Sequence, residues 1–169
     1  SLAHGHKSFR ECTELALDYI TYKKNMNISE IVRKKLVYSW NDLTPWPEAL
    51  STTKDLKLLG YEVAILSNGD HQMLNKIANK FENTFEHILS AELAQNFKPH
   101  PSVYELPIIH LGFAKSEILH VAGSPTDVVG ARAFGLKCYW SNRSNDKVID
   151  AAFKANYEES DLNGIVKIV

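Results

Sequence analysis

From residue 61 onward, short apolar runs alternate with segments of helical spacing, and that rhythm leaves few folds open. Tyr61-Glu62-Val63-Ala64-Ile65-Leu66 reads as a buried strand. A helix is expected around Gln72 to Phe81, a short strand around His87 to Leu89, and a helix around Ser102 to His110. Strand Ile118 to Val121, helix Asp127 to Phe134 and strand Leu136 to Trp140 complete the series. Parallel strands need long crossovers, and helices supply them. The predicted fold is therefore α/β: a doubly wound, Rossmann-like parallel sheet with helices on both faces. Pro107 is expected to kink or shorten its helix.

Upstream of that series the chain reads as helical. Phe9, Cys12, Ala16, Tyr19 and Ile20 recur at helical spacing, which predicts an amphipathic helix from about Ser8 to Lys24. Asn27 and Glu30 stand at capping-box spacing and would open a second helix carrying Ile28, Ile31, Val32, Leu36 and Trp40. The two make an antiparallel pair. After Thr44 the rhythm changes. Pro47 suits a first helical position, Leu50, Leu56 and Leu59 form an apolar stripe, and Gly60 suits a stop. The expected division is a helical subdomain over 1–44 and an α/β core over 45–169.

Composition narrows the partners. A net charge of −1 gives no electrostatic reason to expect nucleic acid or an anionic membrane surface. No apolar run approaches membrane-spanning length, and the first residues lack the apolar stretch of a secretory signal, so a cytoplasmic setting is expected. Cys12 and Cys138 read as reduced core residues. His4 and His6 read as a solvated tail rather than a metal site, and His71, His87, His110 and His120 show no ligand spacing.

In a doubly wound sheet the parallel strands aim their C-terminal ends at one rim, where such folds place their chemistry. Three polar loops leave that rim. The first is Ser67-Asn68-Gly69-Asp70; the second is Lys98-Pro99-His100-Pro101 with Ser102 and Tyr104 following; the third runs from Gly123 through Ser124 to Asp127. Taken singly, each has a plainer meaning: a turn with Asp70 as helix cap, a solvated lysine, an extended approach capped by Ser102, a first-turn carboxylate favoured by the helix dipole. Their order behind successive strands favours function. A hydroxyl, an ammonium and a carboxylate on one rim make an anion site with a water-orienting acid.

This order resembles the haloacid dehalogenase superfamily, and within it the 2-haloacid dehalogenase-like branch. The stretches that carry the resemblance are Ile65-Leu66-Ser67-Asn68-Gly69, then Phe97 to Leu106, then Ser124 to Leu136, and Trp140-Ser141-Asn142-Arg143. The resemblance implies that Ser67 and Asn68 hold a substrate's anionic group and that Lys98 neutralises charge. It implies that Tyr104 lines the pocket, that Ser124 supports the loop, and that Asp127 positions the hydrolytic water. The helices before residue 44 resemble the second half of a helical cap. The small anionic substrate would be a short 2-haloacid whose halide water displaces through an aspartyl ester.

The family's nucleophilic aspartate belongs on a first, central strand, and no such motif precedes Ser67. Glu11, Glu14, Asp18 and Glu30 lie on helical faces, and Arg10 is a poor substitute for the arginine that dehalogenases carry early in the cap. Gly123 stands where phosphatases of the superfamily place a metal-binding acid, so no metal or other cofactor is implied. The expectation is a sheet without its usual central strand, inactive as residues 1–169 stand. Three arrangements would satisfy the unpaired edges: further sequence of the same protein, a strand from another copy, or direct pairing of the flanking strands. The rival reading is a non-catalytic protein that keeps the anion pocket for binding; a phosphatase is the weaker one.

Overall fold

A computed structural model describes residues 5–169. Among the described residues six α-helices and five strands form an α/β fold, and every strand pairing is parallel. Strand β1 (Ala64–Ser67) pairs with β2 (His87–Ser90), Ala64 opposite His87 and Ser67 opposite Ser90. Strand β3 (Leu119–Ala122) pairs with β4 (Lys137–Ser141), and β4 pairs with β5 (Tyr157–Glu159). These are two sheets rather than one, ordered β1-β2 and β3-β4-β5. The flanking strands β1 and β3 do not pair, so the third arrangement, direct closure, is not the one adopted. Among the described residues no strand precedes β1.

The N-terminal helices begin as their caps dictate. Helix α1 (Phe9–Lys23) follows Ser8, which with Glu11 forms a reciprocal capping box. Helix α2 (Glu30–Tyr38) is capped by Ser29, not by Asn27: the Ser29 hydroxyl accepts from the Val32 amide. Asp18 and Arg33 pair across the two helices at 3.0 Å. Helix α1 buries no residue, and Leu15, Tyr19, Ile20 and Tyr22 stay exposed. His4 lies outside the described residues; His6 packs on the Phe97 ring instead of trailing in solvent.

Helix α3 (Ala49–Leu58) starts two residues after Pro47. Its end explains why β1 is shorter than the apolar run before it. Gly60, at φ +88°, donates to the Lys57 carbonyl and Tyr61 donates to that of Leu56, the paired bonds of a Schellman stop. Tyr61 is thereby committed to the helix, and the strand begins at Ala64.

Helix α4 (His71–Ala78) has Asp70 at its N-cap position, yet the Asp70 carboxylate does not cap it. It accepts from the amides of Phe9 at 2.6 Å and Arg10 at 3.2 Å, the opening turn of α1, while Glu92 takes the His71 amide at 2.6 Å. One buried carboxylate therefore ties the first rim loop to the helical pair. Helix α5 (Pro101–Leu111) is capped by the His100 imidazole rather than by Ser102, with Pro101 in its first turn. It runs on to Leu111 with Pro107 inside it. Helix α6 (Pro125–Phe134) follows the cap Ser124 and stops at Gly135, φ +97°.

The core lies between β3, β4 and helices α5 and α6, where Tyr104, Leu136, Cys138 and Trp140 are buried. Leu66 joins this cluster to a second one around Leu89, Ala91, Val103 and Leu106. Burial of each large aliphatic side chain stabilises by roughly 1.5–3 kcal/mol, so the packing fixes the strand ends that carry the rim. No helix among the described residues is long and apolar enough to cross a membrane.

Asp70→Ala should remove the distant cap of α1 and lower unfolding stability by about 1–2 kcal/mol. Urea denaturation measures this, and unchanged stability would show that the Asp70 bonds contribute nothing.

Candidate active site

The three rim loops meet around a cavity of about 340 Å³. Ser67 and Asn68 border it from the first loop, Lys98 and Pro99 from the second, and Ser124, Thr126 and Asp127 from the third. Leu66 of β1 and Val121 of β3 border it from two strands that do not pair with each other. Of the expected site residues, Ser67, Asn68, Lys98, Ser124 and Asp127 border this space and Tyr104 does not; Asp70, His100 and Ser102 of the same loops also lie outside it.

Asp127 is the centre of the arrangement. Its Oδ2 lies 3.2 Å from Lys98 Nζ and 3.0 Å from His120 Nε2, and its Oδ1 accepts from the Tyr104 hydroxyl at 2.8 Å. Its own amide donates to the Ser124 hydroxyl at 3.3 Å, the cap bond that opens α6. Asn68 stitches the first loop to the second: its side-chain oxygen accepts from the Lys98 amide at 2.7 Å. The Ser67 hydroxyl accepts from the Gly69 amide at 3.2 Å, which holds it within its turn.

Tyr104 is fully buried, so it stands behind Asp127 as a brace rather than in the pocket wall. Gly130 makes room for it. A Cβ there would collide with the Tyr104 hydroxyl and lie 2.8 Å from Pro99 Cβ. His120 is the residue that spacing alone missed. The available signal was chemical: a histidine within the apolar run Ile118-Leu119-His120-Val121-Ala122 must find a partner if buried. Arg10 lies elsewhere, its guanidinium over the Tyr38 ring.

Burial opposes ionisation of Asp127, but His120, Lys98 and Tyr104 outweigh it and hold the carboxyl well below the usual carboxylate range. Burial likewise lowers the Lys98 ammonium, and the Asp127 charge only partly restores it. The two partners thus respond differently: desolvation prevails at the lysine, whereas donors prevail at the aspartate. Burial, with the Asp127 charge, raises the Tyr104 phenol, and burial pushes the Cys138 thiol up to about 12, so both stay protonated near neutrality. The rim therefore presents fixed donors and one ionised acid in a half-enclosed space. Fixed donors of this kind suit an anion, and an ionised acid among them can orient water without reorganising. Among the described residues no three His, Cys, Asp or Glu side chains cluster as metal ligands.

Comparison with known proteins gives the family of the chain. The model of a hydrolase family, the haloacid dehalogenase-like hydrolases, matches residues 8–135. Haloacetate dehalogenase H-2 of Moraxella sp. (strain B) is 35% identical over 80% of this chain and 61% of its own length. The (S)-2-haloacid dehalogenase of Pseudomonas sp. (strain YL) is 30% identical, with coverage of 99% and 73%. The chain thus spans less than two thirds of the Moraxella relative. A crystal structure of a dehalogenase superposes with TM-score 0.92 at 25% identity, covering 99% of this chain and 75% of its own. A crystal structure of an L-2-haloacid dehalogenase gives 0.91 at 25% identity, covering 96% and 72%.

Two outcomes test the site. The folded-state pKa of Asp127 is depressed, so its ionisation stabilises the fold above the ordinary aspartate pKa, and that stability is lost as pH falls below about 4. Asp127→Asn should flatten the stability–pH curve in that acid window; an unaltered slope would refute the ionised, triply bonded carboxylate. Gly130→Ala should destabilise by about 1–3 kcal/mol through overpacking and displace the Tyr104 hydroxyl from Asp127. Thermal unfolding and the Tyr104 phenol signal in NMR report both effects.

Proposed function

The chain belongs to the haloacid dehalogenase-like hydrolases, in their 2-haloacid dehalogenase branch, and we propose that its rim serves hydrolytic removal of halide from a short 2-halocarboxylate. The observation that carries this reading is the character of the cavity's acid. Asp127 is the one carboxylate bordering the cavity among the described residues, and three donors already engage it. Such a carboxylate is a poor nucleophile because its charge is spent on its neighbours, yet it is well suited to hold a water.

Attack on the carbon that bears the halogen therefore falls to a second carboxylate. We place it on a strand entering between the edges of β1 and β3, where Leu66 and Val121 face the cavity. In that position its oxygen displaces halide with its lone pair and forms an ester. Lys98 offsets the charge of the attacking carboxylate, while Ser67 and Asn68 receive the substrate's own carboxylate. Water held by Asp127 then adds to the ester carbonyl, releasing the 2-hydroxy acid and restoring the acid.

Residues 1–169 alone should release no halide from chloroacetate or 2-chloropropionate, whereas native protein whose intact mass includes such a strand should release it stoichiometrically. Lys98→Met should cut that release by a factor of about 100 or more, as expected when a transition-state charge partner is lost. Turnover by residues 1–169 alone would overturn the external carboxylate. Anion binding by the native protein without halide release would overturn the reaction and leave a binding role.

A further inference from the structure

His120 contributes to the site without bordering the cavity. It sits in β3 between Leu119 and Val121, almost fully buried, and strand alternation sends its side chain to the face opposite Val121. On that face its ring meets the Tyr104 ring edge-on at 5.5 Å, and its Nε2 reaches Asp127 Oδ2 at 3.0 Å. An ionised carboxylate only accepts hydrogen bonds, so Nε2 carries the hydrogen. In the familiar Ser-His-Asp arrangement the carboxylate orients the histidine, which faces the substrate. Here the order is reversed, because the aspartate borders the cavity and the histidine stands behind it.

The division of donors matters to Lys98. Its ammonium carries three hydrogens and shares Oδ2 with His120. With a second donor on that oxygen, Asp127 does not draw the whole ammonium to itself. Lys98 can then present hydrogens to an anion in the cavity. The other titratable groups facing this pair are Tyr104 of α5 and Cys138 of β4.

We propose that His120 is a positioning residue for the hydrolytic step: it fixes the Asp127 carboxylate from behind and releases Lys98 for the bound anion. Its kinetic consequence rests on the hydrolase reading above, but the hydrogen bond that carries it does not. The effect of losing this support falls on the step that uses the oriented water, after the ester has formed, so kcat and KM fall together and kcat/KM is little changed.

Histidine-selective nitrogen NMR on the labelled protein should show His120 protonated at Nε2, with a signal that shifts when Asp127→Ala removes the acceptor. His120→Phe keeps the ring volume and deletes the donor, so the Asp127 carboxyl carbon should titrate at higher pH. His120→Gln returns an N–H and should restore the lower midpoint. In halide-release kinetics of the native protein His120→Phe should lose tenfold or more in kcat while kcat/KM stays within a factor of two, and His120→Gln should recover most of the kcat. A His120 signal indifferent to Asp127→Ala overturns the proposal, as does an Asp127 midpoint unmoved by His120→Phe. Should His120→Phe fail to fold, the Asp127→Ala shift and the His120→Gln midpoint decide. Absence of halide release from every form defeats the substrate reading, while the two NMR measurements still decide for or against His120.

Discussion

A carboxylate in a half-enclosed cavity survives as an anion only if its neighbours compensate for the water it has lost, and at Asp127 three elements contribute to that compensation. Lys98 approaches from the loop before α5, Tyr104 from α5 itself, and His120 from β3. Each donor is useful only where its backbone puts it, so the packing of α5 against β3 and α6 is a precondition of the chemistry. The fully buried Tyr104 belongs to both, since its ring fills the core while its hydroxyl holds the acid. Stability and site are therefore not separable here: loosening the α5–α6 contact at Gly130 disturbs the carboxylate directly.

The same electrostatics accounts for the division of labour we assign. An acid surrounded by donors stays ionised but gives up basicity and nucleophilicity, which suits it to hold a water and not to attack carbon. An acid meant to attack needs a less satisfied environment, and the space between β1 and β3 offers one, bordered by Leu66 and Val121 with the Lys98 ammonium nearby. The unpaired edges of those strands and the lack of a second carboxylate at the cavity among the described residues concern the same place.

Much of this was legible in the sequence because it follows from periodicity. The alternation after residue 60 gave the strands and helices in order, and the polar residues behind each strand gave the rim. What escaped was decided by contacts far along the chain. Asp70 occupies the position of a cap for α4, and nothing local says that its carboxylate turns to Phe9 and Arg10 instead. Tyr104 reads as a pocket residue from its motif, yet the space that Gly130 leaves open draws it inward. The short strand β5 carries the exposed residues Tyr157, Glu158 and Glu159 and has no apolar rhythm to announce it; its pairing with β4 creates it. His120 was visible only as an anomaly, a polar ring in an apolar run.

The hydrogen bond of Asp70 to the start of α1 has a mechanical side. From the amides of Phe9 and Arg10 the connection runs through Asp70 to Asn68, two residues earlier in the same loop, and through the Asn68 side chain to the backbone of Lys98. Helical pair, anion loop and cation thus form one linkage with few free joints. The opening turn of α1 and the backbone of Lys98 are therefore anchored on the same four-residue loop, so the position of the ammonium is referenced to the helical pair as well as to the sheet.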